Sequence, residues 1–227
     1  MAEGKFNFSA TLKDTFETIK TVFVKPATKN EEKIKKFADA KTAGIFAGFT
    51  AVIYLIIELI GAIISTIVTK SCSLFTNKCE TKVDFNNLNK FDFFKVLGDN
   101  ILTILGIIAV VAIVVYVMGL IFKKQPKFMK LVAIVTAGLA PLFLAGFVSG
   151  ILTYIWAPLA LFVFFAGLVL SLAYTINAIS KEIVFEGDRK VFFHVATITV
   201  IFIVAYFILT SVAKDTAAGA YIKLLGF

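Results

Sequence analysis

The sequence is poor in the residues that build most catalytic and metal sites: one histidine, two cysteines and four prolines among 227 positions. A single histidine leaves no His-Glu-x-x-His metal motif, and two cysteines without a Cys-x-x-Cys pair leave no dithiol redox site. A Gly-rich phosphate loop followed by Lys-Ser/Thr is missing. Gly146-Phe147-Val148-Ser149-Gly150 sets its serine one position late for a Gly-x-Ser-x-Gly nucleophile elbow. These gaps argue against an enzyme and call for no cofactor. Charge is missing in the most telling place. Leu131 to Ser180, fifty residues between Lys130 and Lys181, contains no Asp, Glu, Lys, Arg or His. As one helix this stretch would run roughly 75 Å, more than twice the ~30 Å hydrocarbon layer of a bilayer. It must fold back on itself, and the reversal is expected between Ser149-Gly150 and Pro158, where Tyr154 and Trp156 suit the headgroup level.

What is present is apolar. Hydrophobic residues make up 59% of the chain and the mean hydropathy is +0.91, too high for a soluble domain of this size. The expected fold is all-α: a polytopic membrane protein with a five-helix transmembrane bundle and an N-terminal amphipathic helix. Spans are expected at about 42–69, 100–122, 131–149, 157–180 and 191–213, with an outer loop at 70–99. A lysine-rich helical segment, 1–41, precedes them and has no long apolar run, so no cleaved signal peptide is expected. If the N-terminus is cytoplasmic, the inner segments hold 16 of the 23 basic residues. That bias predicts a multi-pass protein of the cell membrane with its N-terminus inside and its C-terminus outside. The net charge of +8 is assigned to anionic lipid headgroups at the cytoplasmic face rather than to nucleic acid, because no basic cluster is spaced for the latter.

Within the N-terminal segment, Phe8, Leu12, Phe16, Ile19 and Phe23 recur at helical spacing, opposite Lys13, Glu17 and Lys20. This stripe suits either the inner interface or a neighbouring helix. A capping-box pattern, Thr28 to Glu31, opens a second helix. Glu58 is the only acid inside an expected span, where a charge costs on the order of 2.5–3.5 kcal/mol on insertion scales. Helical projection places it on a small-residue face with Ala43, Gly44, Ala47, Ala51, Tyr54 and Gly61, opposite Phe46, Phe49 and several isoleucines. The carboxyl therefore faces the bundle, near the depth of Tyr206 and of a helix break expected at Pro141, which would free the carbonyl of Ala137. This intramembrane polar site, Glu58 with Tyr206 and Pro141, reads either as a proton or cation path or as polar glue between spans. Cys72 and Cys79 flank a short loop on the outer side; a disulfide is favoured there over two free thiols. Gly44-x-x-x-Gly48 and Gly146-x-x-x-Gly150 are expected to pack helices, internally or in a homo-oligomer.

The segment ending in Lys25-Pro26, five spans with the N-terminus inside, the basic turn Lys123-Lys124-Gln125-Pro126-Lys127 and the run Gly138-Leu139-Ala140-Pro141 together resemble the Yip family. The resemblance implies a five-span membrane protein whose eukaryotic relatives interact with Rab-type GTPases in vesicle traffic. The N-terminal segment has no Asp-Leu-Tyr-Gly-Pro motif, which fits a prokaryotic relative. The expected function is a non-enzymatic scaffold or adaptor in membrane organisation or trafficking, meeting a protein partner through residues 1–41. The alternative is a transporter or channel component using Glu58.

Overall fold

A computed structural model of the chain describes residues 8–24, 40–72 and 79–212. The capping-box segment at Thr28 to Glu31 lies outside them, as do the side chains of Phe8, Leu12, Phe23, Cys72, Cys79 and Tyr206. Among the described residues the α-helices are α1 (Phe8–Val24), α2 (Ala40–Ile67), α3 (Phe93–Ile121), α4 (Phe128–Gly138), α5 (Ala140–Thr153), α6 (Ala157–Glu182) and α7 (Asp188–Val212). The fold is an all-α membrane bundle, as its apolar runs require. Among the described residues, four segments are long and apolar enough to cross a bilayer: α2, α3, the broken helix α4–α5, and α6. The fifth expected span coincides with α7, a helix of 25 residues.

The broken helix is the centre of the bundle. In its most apolar window 61% of residues are buried, against 11% in that of α2. It packs between α2, α3 and α6, with α7 against α3. One core cluster, at the end of the bundle where the 122–128 turn and the 182–188 link lie, joins Phe46, Val115, Met118, Leu131, Ile134, Tyr174, Ile179 and Phe193. A second joins Tyr54, Ile104, Ile108, Val135, Leu139 and Phe143. Phe46, expected on the lipid face, is only 4% exposed. The α2 helix meets α3 as well as α4, and the aromatic ring fills the seam that the second neighbour creates.

The stretch expected as a polar outer loop has more structure than its composition suggested. β1 (Val68–Cys72) and β2 (Cys79–Val83) form a two-stranded antiparallel ribbon in which Cys72 is the register partner of Cys79. The Asp84 amide donates to the Ile67 carbonyl at 2.8 Å, closing the ribbon onto the end of α2. The Asp84 carboxylate then caps a short 3-10 turn, Phe85–Lys90, and that of Asp92 accepts from the Lys95 amide at 3.0 Å. This N-cap starts α3 at Phe93 instead of near Asn100. With 29 residues α3 is roughly 43 Å long, so its first turns project beyond a ~30 Å hydrocarbon layer.

The α1 helix packs on α2, α4 and α5, and of the expected stripe Ile19 takes part in that packing. Thr15 and Thr18 are buried and Ile19 reaches the Tyr54 cluster, while Phe16 is 55% exposed. The Thr18 hydroxyl donates to the Asp14 carbonyl of its own helix at 2.7 Å. A buried threonine satisfied in this way is small enough for close helix approach.

Candidate functional site at the break in the central helix

Proline lacks the N–H that would complete the helical ladder, and its ring crowds the carbonyl four residues earlier. Around Pro141 the ladder accordingly stops: α4 ends at Gly138, Leu139 lies between, and α5 begins at Ala140 with the proline in its first turn. Such a stop frees carbonyl groups in a region with no water to solvate them. Two neighbouring helices supply the missing donors. The Tyr54 hydroxyl of α2 donates to the Thr136 carbonyl at 2.6 Å. The Ser171 hydroxyl of α6 donates to the Gly138 carbonyl at 2.5 Å. Thr136 turns its own hydroxyl to the Val132 carbonyl at 2.7 Å.

Close packing fixes these donors. The Tyr54 ring stacks on Phe143 with centroids 4.3 Å apart and planes inclined by 22°. The α6 helix lies directly over the break because two glycines let it approach. A methyl group at Gly138 would run into the Thr175 hydroxyl, and one at Gly167 would sit 2.8 Å from the Pro141 carbonyl oxygen. Further along, the Ser149 hydroxyl donates to the Ala160 carbonyl at 2.8 Å and holds α5 to α6 near their turn at Tyr154–Trp156.

Glu58 lies in the seam beside this site but not in it. One turn before it Tyr54 stacks on Phe143; three residues after it, a methyl group at Gly61 would be 3.5 Å from the Phe147 ring. The carboxyl is half-buried between those contacts, and among the described residues no partner bonds it. The Ala137 carbonyl, the expected partner of Glu58, receives no bond from it among the described residues, and the carbonyls on either side, of Thr136 and Gly138, accept from Tyr54 and Ser171. Pro141 is buried where expected, and the Tyr206 side chain lies outside the described residues.

The glycine pairs also divide differently. A methyl group at Gly44 would come within 3.2 Å of the Met129 side chain, but at Gly48, Gly146 and Gly150 it would meet nothing within 4 Å among the described residues. Close approach inside this chain falls on Gly138 and Gly167 instead. The sequence carried a signal for them: Gly167, Ser171, Thr175 and Ala178 recur on one side of α6 at three- and four-residue spacing.

At the end of the bundle where the basic turn lies, Lys130 of α4 pairs with Glu182 of α6. Ser180 Oγ donates to the Ile176 carbonyl at 2.8 Å and lies 2.7 Å from His194 Nε2. The serine hydroxyl thus bridges its own helix and the His194 ring, and the contact ties α6 to α7.

These features define an integral membrane bundle organised about a broken central helix, two of whose freed carbonyls, those of Thr136 and Gly138, are capped by its neighbours. A family model described as the Yip1 domain matches residues 20–210, and the chain belongs to that family. Comparisons with curated proteins and with solved structures gave no match. The Yip1 family is not an enzyme family, and membership makes this a membrane protein of the Yip type.

Proposed function

We propose that the chain is a non-enzymatic scaffold or adaptor in membrane organisation or trafficking. The observation that carries this reading is the closed break: the Thr136 and Gly138 carbonyls, which would line an ion path in a broken-helix transporter, are bonded to Tyr54 and Ser171. In this reading α7 is the fifth crossing, the N-terminus is cytoplasmic in the cell membrane, and the C-terminus is outside. The bias of lysines toward the segments 1–41, 123–130 and 181–190 supports that orientation. Residues 1–41 meet a protein partner, and the lysine-rich side meets anionic headgroups. Cys72 and Cys79 form a disulfide on the outer side, supported by their pairing at the end of the ribbon. Gly48, Gly146 and Gly150, open within one chain, suit contact with a second copy. Photo-crosslinking from residues 1–41 in cells tests the reading. It should capture a discrete protein in the parent and in Glu58→Gln alike; capture of lipid alone would refute it.

A second reading rests on Glu58, an acid in a membrane span beside a broken helix with no bonded partner among the described residues. It makes the protein a transporter or channel component. Proteoliposomes should then show a proton or cation flux that Glu58→Gln abolishes.

A further inference from the structure

The turn between α3 and α4 stops a helix in an unusual way. The Lys124 amide donates to the Gly119 carbonyl and the Lys123 amide to the Leu120 carbonyl, both at 2.9 Å, which is a Schellman ending. Its left-handed position is normally glycine, yet here it is Lys123, with φ of 60°. A lysine stands where glycine would fit with less strain. The turn it opens is purely basic: Lys123, Lys124 and Lys127 are exposed, and 123–130 contains four lysines and no acid.

This turn borders an open depression of about 270 Å³ lined by Lys124, Gln125, Pro126, Glu182, Ile183 and Val184. Glu182 is already paired with Lys130, so the one carboxylate on the wall is compensated. The floor is tied to the bundle. Lys124 Nζ lies 5.3 Å from the centre of the Phe185 ring, and Phe185 and Phe193 both meet Phe122 edge to face. Exposed apolar side chains flank the turn and the depression: Ile121 at the end of α3, Val184 on the depression's wall, and Val191 and Phe192 at the start of α7. Phe192 reaches the same cluster, 6.1 Å from Phe122 between centroids.

We propose that this depression is a binding site for an anionic phospholipid, its phosphate held by Lys123, Lys124 and Lys127 and its acyl chains laid on the exposed side chains of Ile121, Val184 and Phe192. Lys124 on the depression's wall, with Lys123 and Lys127 exposed in the same turn and apolar side chains exposed on the flanking helix ends, matches an amphiphile, whereas a free phosphate would use only the lysines. The proposal deepens the headgroup contact proposed above into one defined site and rests on that reading's assignment of the lysine-rich end to a charged membrane surface. That assignment fails separately, if labelling of single cysteines puts residue 127 and the N-terminus on opposite sides of the membrane.

The test uses the full chain in phosphatidylcholine vesicles containing a minority of phosphatidylglycerol, extracted in mild detergent, with retained lipid read by native mass spectrometry. The parent should retain phosphatidylglycerol selectively. Replacing Lys123, Lys124 and Lys127 together by Ala should lower that retention at least about tenfold, since each interfacial lysine contributes on the order of 1 kcal/mol. Replacing Lys82, Lys90 and Lys95 at the other end should leave it unchanged, and Lys124→Arg should preserve it. All six lysines are exposed, so both triple variants should fold, which an unchanged Trp156 melting profile checks. Equal retention in parent and first triple variant, an equal loss in both triple variants, or displacement of the lipid by millimolar inorganic phosphate would each overturn the proposal.

Discussion

Two helices end inside this molecule in different solvents, and they end by different chemistry. At Gly138–Pro141, in the centre of the bundle, the freed carbonyls are bonded by hydroxyls from two other helices. At Phe122–Lys127, on its rim, the chain bonds its own carbonyls through a tight turn and turns three lysines outward. The hydrocarbon layer offers no water to a freed carbonyl, so the interior ending depends on tertiary contacts. The rim ending bonds its carbonyls within its own turn, while Phe122 packs on Phe185 and Phe193, and its exposed lysines are placed to meet a partner.

If that contrast is right, damage at the interior ending should cost much more than damage at the rim. The largest effect is expected for Gly167→Leu, because the new side chain would meet the Pro141 backbone, which cannot turn aside. A loss of 3 kcal/mol or more, on the order of the upper range for overpacking, should appear as failure to accumulate in the membrane or early melting in detergent. Next comes Tyr54. Tyr54→Ala removes a buried, stacked ring and should cost about 3–5 kcal/mol, whereas Tyr54→Phe keeps the ring and removes only the bond to Thr136, about 1–2 kcal/mol. Equal losses in the two variants would show that the hydroxyl, not the packing, holds the break. Ser171→Ala should be smaller, about 0.6–1.7 kcal/mol. At the rim, Lys123→Gly should be stabilising by about 0.5–1 kcal/mol, since glycine adopts the left-handed conformation without strain. A destabilised Lys123→Gly would mean that the lysine side chain supports the turn, and the contrast would then fail. Gly48→Ala and Gly150→Ala should lie within about 0.5 kcal/mol of the parent in a monomeric preparation.

The character of the chain was legible because membrane folding is governed by a coarse rule that composition expresses directly: fifty uncharged residues have to cross lipid and return. The membrane-bundle class and the break at Pro141 follow from run length and helix-breaking residues, and the family was legible as a resemblance in layout and in the runs at 123–127 and 138–141. The donors to the freed carbonyls were not legible. Tyr54 was placed on the inward face of α2, but which of Tyr54 and Glu58 reaches the break depends on the axial offset between helices far apart in sequence, which periodicity within one helix does not encode. The same limitation explains Phe46, whose burial needs the second neighbour α3, and the glycines, where spacing alone singled out Gly48 over Gly138. The ribbon at 68–83 escaped notice because its strands are short and polar, and the Asp84 and Asp92 caps that frame it act over only two or three residues.

One uninterrupted 26-residue helix, α6, lies along both halves of the broken one. It therefore works as a splint: α5 cannot swing relative to α4 unless α6 bends or slides with it. A spin-label pair bridging the two halves would register any such movement first at the level of Ser171, where rod and fracture are bonded.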